Sequence, residues 1–458
     1  MSVLGRRSFL QGLTASAAGG LLADRCVVGQ EKGERPARDK SARVINPRGR
    51  PPLSFIIDDS TCLVNLNRFA IPQFAAAWNN RRYLHDWRSM PLEIPDDFVR
   101  KFADWCEDHS VRGKYSIVPF PACVGRLDRE LPGWTRRELE NSLKFVRDRM
   151  APNWDIHPEM VTHTRVIDTK TGHPYPTRAP EFMENWRWTD GKSVDELANY
   201  LGYALRILRN CDLHCDGITT PGGFGNRVLP ELAQASLESV RDVYKSEIPH
   251  YFRHVISSGD ASVEPRVEYV SGLDTDDPRC VVSIIACTGD WTGGWDCSNR
   301  GNVDLFITPD LKSGRMTEVI DRGEPALMLC HWTGIYFNGE EVGLRVFQEA
   351  VERMERRYGQ LNWMKLDQIA RYWAAKELTA FTRTGNQWTL QAPYACPDFT
   401  VELSAAPAGA PRVSQGATVK RLQETKRRAD LRSGTFHRDD EKLTVCFPLP
   451  RGKSAISV

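Results

Sequence analysis

Two adjacent carboxylates, Asp58 and Asp59, close the apolar run Ser54-Phe55-Ile56-Ile57. Four further groups of chemistry-bearing residues follow: His157-Pro158-Glu159 with His163, Thr220-Pro221-Gly222-Gly223, Asp290-Trp291, and Leu329-Cys330-His331. Asp, Glu and His are the ligand types of a divalent-ion site that keeps positions open for water and substrate. A carboxylate not used as a ligand is a candidate general base, and a histidine a candidate general acid. Paired carboxylates are also the equipment of a glycoside hydrolase, for which Asp58 with Asp290 or Asp296 is the available pair. Taken singly, each group has a plainer use. Asp58-Asp59 suits a strand cap and turn, His331 a hydrogen-bonded core position, Glu159 an exposed helix face, and Gly222-Gly223 a tight connection.

The elements that must position these residues read as alternating strands and helices. The Phe55–Ile57 run is short, apolar and β-branched, the pattern of a buried strand. Phe98, Phe102 and Trp105 are spaced for an amphipathic helix with Asp96 or Asp97 near its start. Lys114 to Pro119 reads as the next strand, so the unit is β-α-β and its strands are parallel. Further helices are expected over residues 135–150, 193–210 (with Ser193 and Glu196 as a capping box), 229–245, 343–358 and 366–376. Strands are expected at 154–157, 217–220, 281–287, 324–329 and 363–365. The five polar groups each end a strand, and closure of the strands would gather them at one mouth. From Leu378 the helical period gives way to short alternating runs, which predict a small antiparallel β domain.

In this order the groups resemble the motifs of the polysaccharide deacetylase family with NodB homology. The likeness spans Leu53 to Lys376 and implies an α/β fold, a distorted (β/α) barrel of the polysaccharide-deacetylase type with the all-β domain appended. It implies that Asp58 is the general base and Asp59 a metal ligand. The family's two metal-binding histidines stand one helical turn apart; here His157 and His163 are six residues apart. The ligand pair is therefore either Glu159 with His163 on one helix face, or His157 with His163 across a turn. The glycine turn with Pro221 and Gly222 echoes the family's third motif without its arginine. Asp290-Trp291 echoes the fourth, and Leu329-Cys330-His331 matches the fifth, with His331 the implied general acid. The implied cofactor is a divalent metal, with zinc the expected ion. The implied activity is hydrolytic removal of N- or O-acetyl groups from a carbohydrate, in which a bound ion activates water and Asp58 takes its proton. Asp290 would orient His331, and Trp186, Trp188, Trp291, Trp295 and Tyr175 are apolar platforms for sugar faces. Besides glycoside hydrolysis, an inactive carbohydrate-binding barrel is the other reading.

Length and composition are consistent with this outline. With 458 residues and 41% hydrophobic content the chain can bury a catalytic-size core and a smaller one. A net charge of +2 gives no global pull toward nucleic acid. Gly5-Arg6-Arg7-Ser8-Phe9-Leu10 resembles a twin-arginine export signal over residues 1–23, which predicts a periplasmic or other extracytoplasmic address. Its apolar stretch is too short and glycine-rich to span a membrane. Residues 24–50 read as a charged linker, 51–377 as the barrel and 378–458 as the β domain. Twelve cysteines scattered singly predict buried free thiols more than a disulfide framework. The sequence sets no oligomeric state.

Overall fold

The computed structural model of the chain describes residues 30–404, 409–439 and 442–458. The export signal expected over 1–23 lies outside them. Strand Pro52–Asp58 is buried along its whole length, which is why its sequence is nearly continuously apolar instead of alternating. It pairs in parallel with Ala326–His331 on one side and Gly113–Ile117 on the other, and Trp154–Pro158 lies beyond Gly113–Ile117. The short Asn362–Trp363 strand pairs with its first residues. A second sheet holds Gly217–Thr219, His250–Val255 and Arg279–Ala286 in parallel, with Arg266–Ser271 antiparallel at the edge. The sequence pattern assigns nothing to residues 246–278, yet two strands lie there. His250, Arg253 and His254 interrupt the apolar period that would have marked the first.

The two sheets touch at both flanks. A single parallel bridge joins Glu159 to Thr219, and Cys287 N–H donates to Leu327 O at 2.7 Å. Neither contact is a ladder, so the strand pairing forms two parallel-rich sheets where one closed barrel was expected. The three-residue length of Gly217–Thr219 leaves too few backbone groups to continue the ladder across. At the other flank Leu329 N–H donates to the Thr288 hydroxyl at 3.0 Å, so a side chain replaces a backbone partner there.

Helices cover the parallel strands as the β-α-β reading requires. Asp96 and Asp97 stand in the first turn of Asp96–Asp108, where carboxylates favour the positive end of the helix dipole. Thr135 and Ser193 each form a reciprocal capping box, with Glu138 and Glu196. Among the described residues no helix is long and apolar enough to cross a membrane.

The C-terminal region consists of two five-stranded sheets. Residues 30–50, expected as a linker, enter this fold: strand Ala42–Val44 pairs with Val401–Leu403. Trp373 of the last helix, Trp388 and Phe399 of the β region, and Ile56, Val282 and Leu327 of the two parallel-rich sheets belong to one continuous core. Each such side chain is almost fully buried and adds about 1.5–3 kcal/mol of hydrophobic stabilisation. The described cysteines are all free thiols.

Candidate functional site

The site lies where the Asp58, His157 and His331 strands end. Parallel register sets His331 beside Asp58, so two groups far apart in sequence stand at the same level. Asp59 follows with φ of +62°. That left-handed turn is uncommon for a residue with a side chain, and it carries the carboxylate of Asp59 away from the strand. Its backbone N–H donates to Glu159 Oε2 at 2.7 Å.

Residues 159–164 are not a helix. After strand Trp154–Pro158 the chain bends through left-handed Met160 and His163, with φ of +48° and +62°, and these turns replace the expected helix face. Glu159 and His163 nevertheless converge: His163 Nε2 lies 2.7 Å from Asp59 Oδ1 and 3.3 Å from Glu159 Oε1. One donor atom from each of Asp59, Glu159 and His163 falls within 4.8 Å of the others. His157 is not brought to this point. It faces the strand interior, with its Nδ1 3.2 Å from Thr219 Oγ1 and its Nε2 beside Asp155 and His250.

Electrostatics at the cluster follow from two carboxylates around one ring. Burial works against a charged His163, but Asp59 and Glu159 outweigh it and raise the imidazole well above its ordinary value. Burial would likewise raise Glu159; His163, Lys114 and the Asp59 N–H instead hold it down to about 2. Asp59 Oδ1 is buried and makes no hydrogen bond of ordinary geometry, with His163 Nε2 2.7 Å away. An unsatisfied buried oxygen is costly, and a carboxylate–carboxylate–imidazole donor set suits a divalent ion of borderline softness. On both counts Asp59, Glu159 and His163 fit a metal.

Asp58 is held by a residue that the sequence reading passes over. Lys114 is fully buried, and its ammonium donates to Asp58 Oδ1, to Ile57 O at 2.9 Å and to Ser116 Oγ at 2.7 Å. Burial, reinforced by the Glu159 charge, pushes the Asp58 carboxyl up to about 7, against the pull of Lys114 and His331. The available signal was a lysine inside a strand flanked by buried strands, a position lysine almost never takes unpaired.

His331 Nδ1 lies 2.7 Å from Asp290 Oδ2. The other oxygen of Asp290 accepts from Thr292 N–H at 3.0 Å and Thr292 Oγ1 at 2.7 Å. Burial opposes a charged ring, but Asp59, Asp290 and Asp58 hold His331 protonated up to about 10.

Behind the cluster, the long segment 165–188 supplies support. Glu184 accepts from the backbone N–H of His163 at 2.6 Å and of Thr162 at 3.1 Å, and from the Tyr200 hydroxyl. Burial pushes its carboxyl up to about 7. Asn185 Nδ2 lies 3.4 Å from His163 Nδ1. Gly222, with φ of +46°, backs onto Asn185, whose backbone oxygen a Cβ there would meet at 2.7 Å. Gly222 thus seats Asn185 against the cluster, and Pro221 is buried in the same turn.

The tryptophans divide. Trp186 and Trp295, with Trp78 and Tyr83, surround Phe74, with ring centroids from 5.4 Å (Trp78–Trp186) to 6.3 Å (Tyr83–Trp295). A groove of about 490 Å³ is lined by Trp78, Trp186, Asn185, Arg187 and Arg227, among others. Asn185 therefore connects groove and cluster. Trp291 packs edge-on against Phe306 at 5.1 Å. Trp188 packs on Tyr200 at 4.2 Å, on the far side of Glu184 from the cluster.

No protein-family model matches the chain, and no curated protein matches its sequence. Among solved structures it is similar to a probable polysaccharide deacetylase from Pseudomonas aeruginosa PAO1, at 11% identity over 60% of this chain and 72% of that one, with a TM-score of 0.37. It is also similar to Thermotoga maritima alpha-fucosidase (12% identity, 78% of each chain, TM-score 0.26). A third is endo-glycoceramidase II from Rhodococcus sp. (13% identity, 91% of this chain and 99% of that one, TM-score 0.28). At such TM-scores these likenesses decide neither fold nor activity, and the side chains must carry the functional reading.

Proposed function

We propose that the chain is a metal-dependent hydrolase that removes acetyl groups from a carbohydrate. The observation that carries this reading is the meeting of Asp59, Glu159 and His163 beside Asp58 and an Asp290-held His331. A divalent ion held by Asp59, Glu159 and His163 would supply Lewis acidity and lower the pKa of water.

The chain's own groups then divide the proton work. Asp58, with Lys114 fixing one carboxylate oxygen, accepts a proton from the attacking water. A base that titrates near neutrality matches that task. His331 enters as imidazolium and donates a proton to the departing amine or alkoxide, and Asp290 fixes which ring nitrogen faces away from the reaction. Trp186 presents an apolar ring face to the sugar, with Arg187 and Arg227 at the rim of the groove.

Glycoside hydrolysis by paired carboxylates is supported less well. Asp290 already accepts from His331 and twice from Thr292, and Asp58 is tied to Lys114. Neither is placed as a free proton donor. The twin-arginine-like N-terminus is the support for an extracytoplasmic address, which cell fractionation of the full-length chain tests.

Acetate release from acetylated glycans decides the reaction. The expected result is release that a chelator abolishes and added divalent ion restores. Release of reducing sugar without acetate, unaffected by chelation, would sink the proposal and favour the glycosidase.

A further inference from the structure

A second group of metal-ligand residues lies deeper along the same strand. Asp155 and His157 of strand Trp154–Pro158 meet His250, the first residue of strand His250–Val255. The distances are 2.9 Å between the two Nε2 atoms, 2.8 Å from His250 Nε2 to Asp155 Oδ2 and 3.2 Å from His157 Nε2 to the same oxygen. Both rings are fully buried, and Asp155 nearly so. His250 Nδ1 is buried and has no partner, so that ring is committed entirely through Nε2.

Protons alone satisfy this triangle poorly. A single N–H on His250 must be split between Asp155 and His157, and a second N–H on His157 sets two donors against each other at 2.9 Å. One cation answers all three edges. For a near-equilateral triangle of side about 3 Å, a point about 1 Å above its plane lies about 2 Å from every corner, the ordinary length of a zinc–nitrogen or zinc–oxygen bond. Residue 217 makes room on one side. Gly217 has no side chain, and a Cβ there would lie 2.5 Å from His157 Nε2 and 2.5 Å from His250 Nε2. Its φ is not in the left-handed region, so the backbone does not demand glycine at this position; the two ring nitrogens do.

We propose that Asp155, His157 and His250 bind a second divalent ion of the zinc type, distinct from the one at Asp59, Glu159 and His163. Its position assigns it a structural task. Asp155 and His157 belong to one sheet and His250 to the other, and among the described residues the backbone pairing between the sheets near this flank is the single Glu159–Thr219 bridge. The ion fastens them where the backbone ladder stops. Beyond the triad lies the end of the strands opposite the candidate active site. A cavity of about 350 Å³ there is lined by Asp216, Ser246, Ile248, Asn362 and Asp367, among others, and Asp216 adjoins Gly217 in sequence. The inference does not depend on the reaction carried out at Asp58.

Metal analysis of the full-length protein tests it. Protein stripped with a chelator is reloaded with Zn²⁺, or with Co²⁺ as a spectroscopic probe, and bound ion per chain is counted after desalting. The expected content is two equivalents in the wild type and one in His163→Ala, with the remaining Co²⁺ showing the intense visible bands of a low-coordinate nitrogen–oxygen site. Gly217→Ala and His250→Asn should each remove one equivalent from the wild type and the remaining one from His163→Ala. The His163→Ala protein alone is decisive even if the other variants fold poorly: no ion retained there overturns the second site. So does one equivalent in the wild type that folded Gly217→Ala keeps. An inactive protein that still binds two ions would instead count against the proposed reaction and leave the second site standing.

Discussion

Asp155 and His157 alternate along one strand and so point to the same face, and Glu159 follows directly after it, yet the three serve two clusters with opposite properties. Around Glu159, two carboxylates share one imidazole, and His163 is held charged. Around His157, two imidazoles share one carboxylate. Burial depresses His157 most, and the neighbouring His250 and Lys114 add to it; Asp155 recovers only part, so the ring falls to about 4. Exposure differs as well: the side chains of His163 and His331 are 9% and 20% accessible, whereas those of His157 and His250 are at 0%. Asp58 and His331, the proposed base and acid, flank the outer cluster; Thr219 and a glycine flank the inner one. The same donor types thus read as chemistry in one place and as fastening in the other, and what separates them is the ratio of carboxylate to imidazole together with a path to substrate.

The largest effect is expected from Asp58→Asn. Removing the base should lower deacetylation by about 10²–10⁴-fold while both clusters keep their ions, as measured by acetate release and metal content on one preparation. Loss of the outer ion would mean that Asp58 is a ligand. Next in size, Asp290→Asn should lower kcat by about 10²-fold. Activity should rise with pH as Asp58 ionises, at or below about 7, and fall as His331 deprotonates, at or below about 10. Both are upper bounds, since a cation at Asp59 favours the carboxylate and disfavours the imidazolium. Asp290→Asn removes a charge that holds His331 protonated, so the falling limb should move to lower pH; a limb that stays in place removes His331 from the proton path.

Lys114 joins the two regions, because it bonds Asp58 and also bears on both His157 and Glu159. Lys114→Met deletes a cation that favours ionised Asp58, so the rising limb should move upward in pH, with a smaller loss of rate at its plateau. An unmoved limb would assign that limb to another group. Because the ammonium is buried against a carboxylate, the variant should also lose about 3–5 kcal/mol of stability, read from denaturant unfolding at pH 8, where Asp58 is otherwise charged.

Parts of the site were legible in the sequence because strand ends declare themselves: an apolar run that stops at Asp58-Asp59 or at His331 leaves little choice of position. The choice between His157 and Glu159 was not legible. It depends on Met160 and His163 taking left-handed backbone, and neither residue type announces that. Lys114 was hidden by reading its strand for apolar content alone, although Lys114 and Ser116 share a face. Glu184 and Asn185 lie in an irregular segment with no period to read, and His250 begins a strand whose polar residues masked it. The C-terminal sheets were plain from alternation, but nothing in the composition of residues 30–50 announced the added strand Ala42–Val44.

The smallest effect belongs to the aromatic groove, which adjoins only the outer cluster. Trp186 is half-buried and packs on Phe74, Trp78 and Tyr83, so its outward face can contribute contact with a sugar without touching the reacting atoms. A stacked ring of this kind contributes about 0.5–1.5 kcal/mol beyond its buried area, which corresponds to roughly a 2- to 12-fold change in binding. Trp186→Ala should therefore raise KM several-fold for an acetylated oligosaccharide and leave kcat near wild type, the pattern of binding shared equally by ground and transition states. With an acetylated monosaccharide too short to reach the groove, the same variant should match wild type. An equal loss on both substrates would mean that Trp186 supports Asn185 and His163 from behind, and the groove would then be part of the cluster's scaffold.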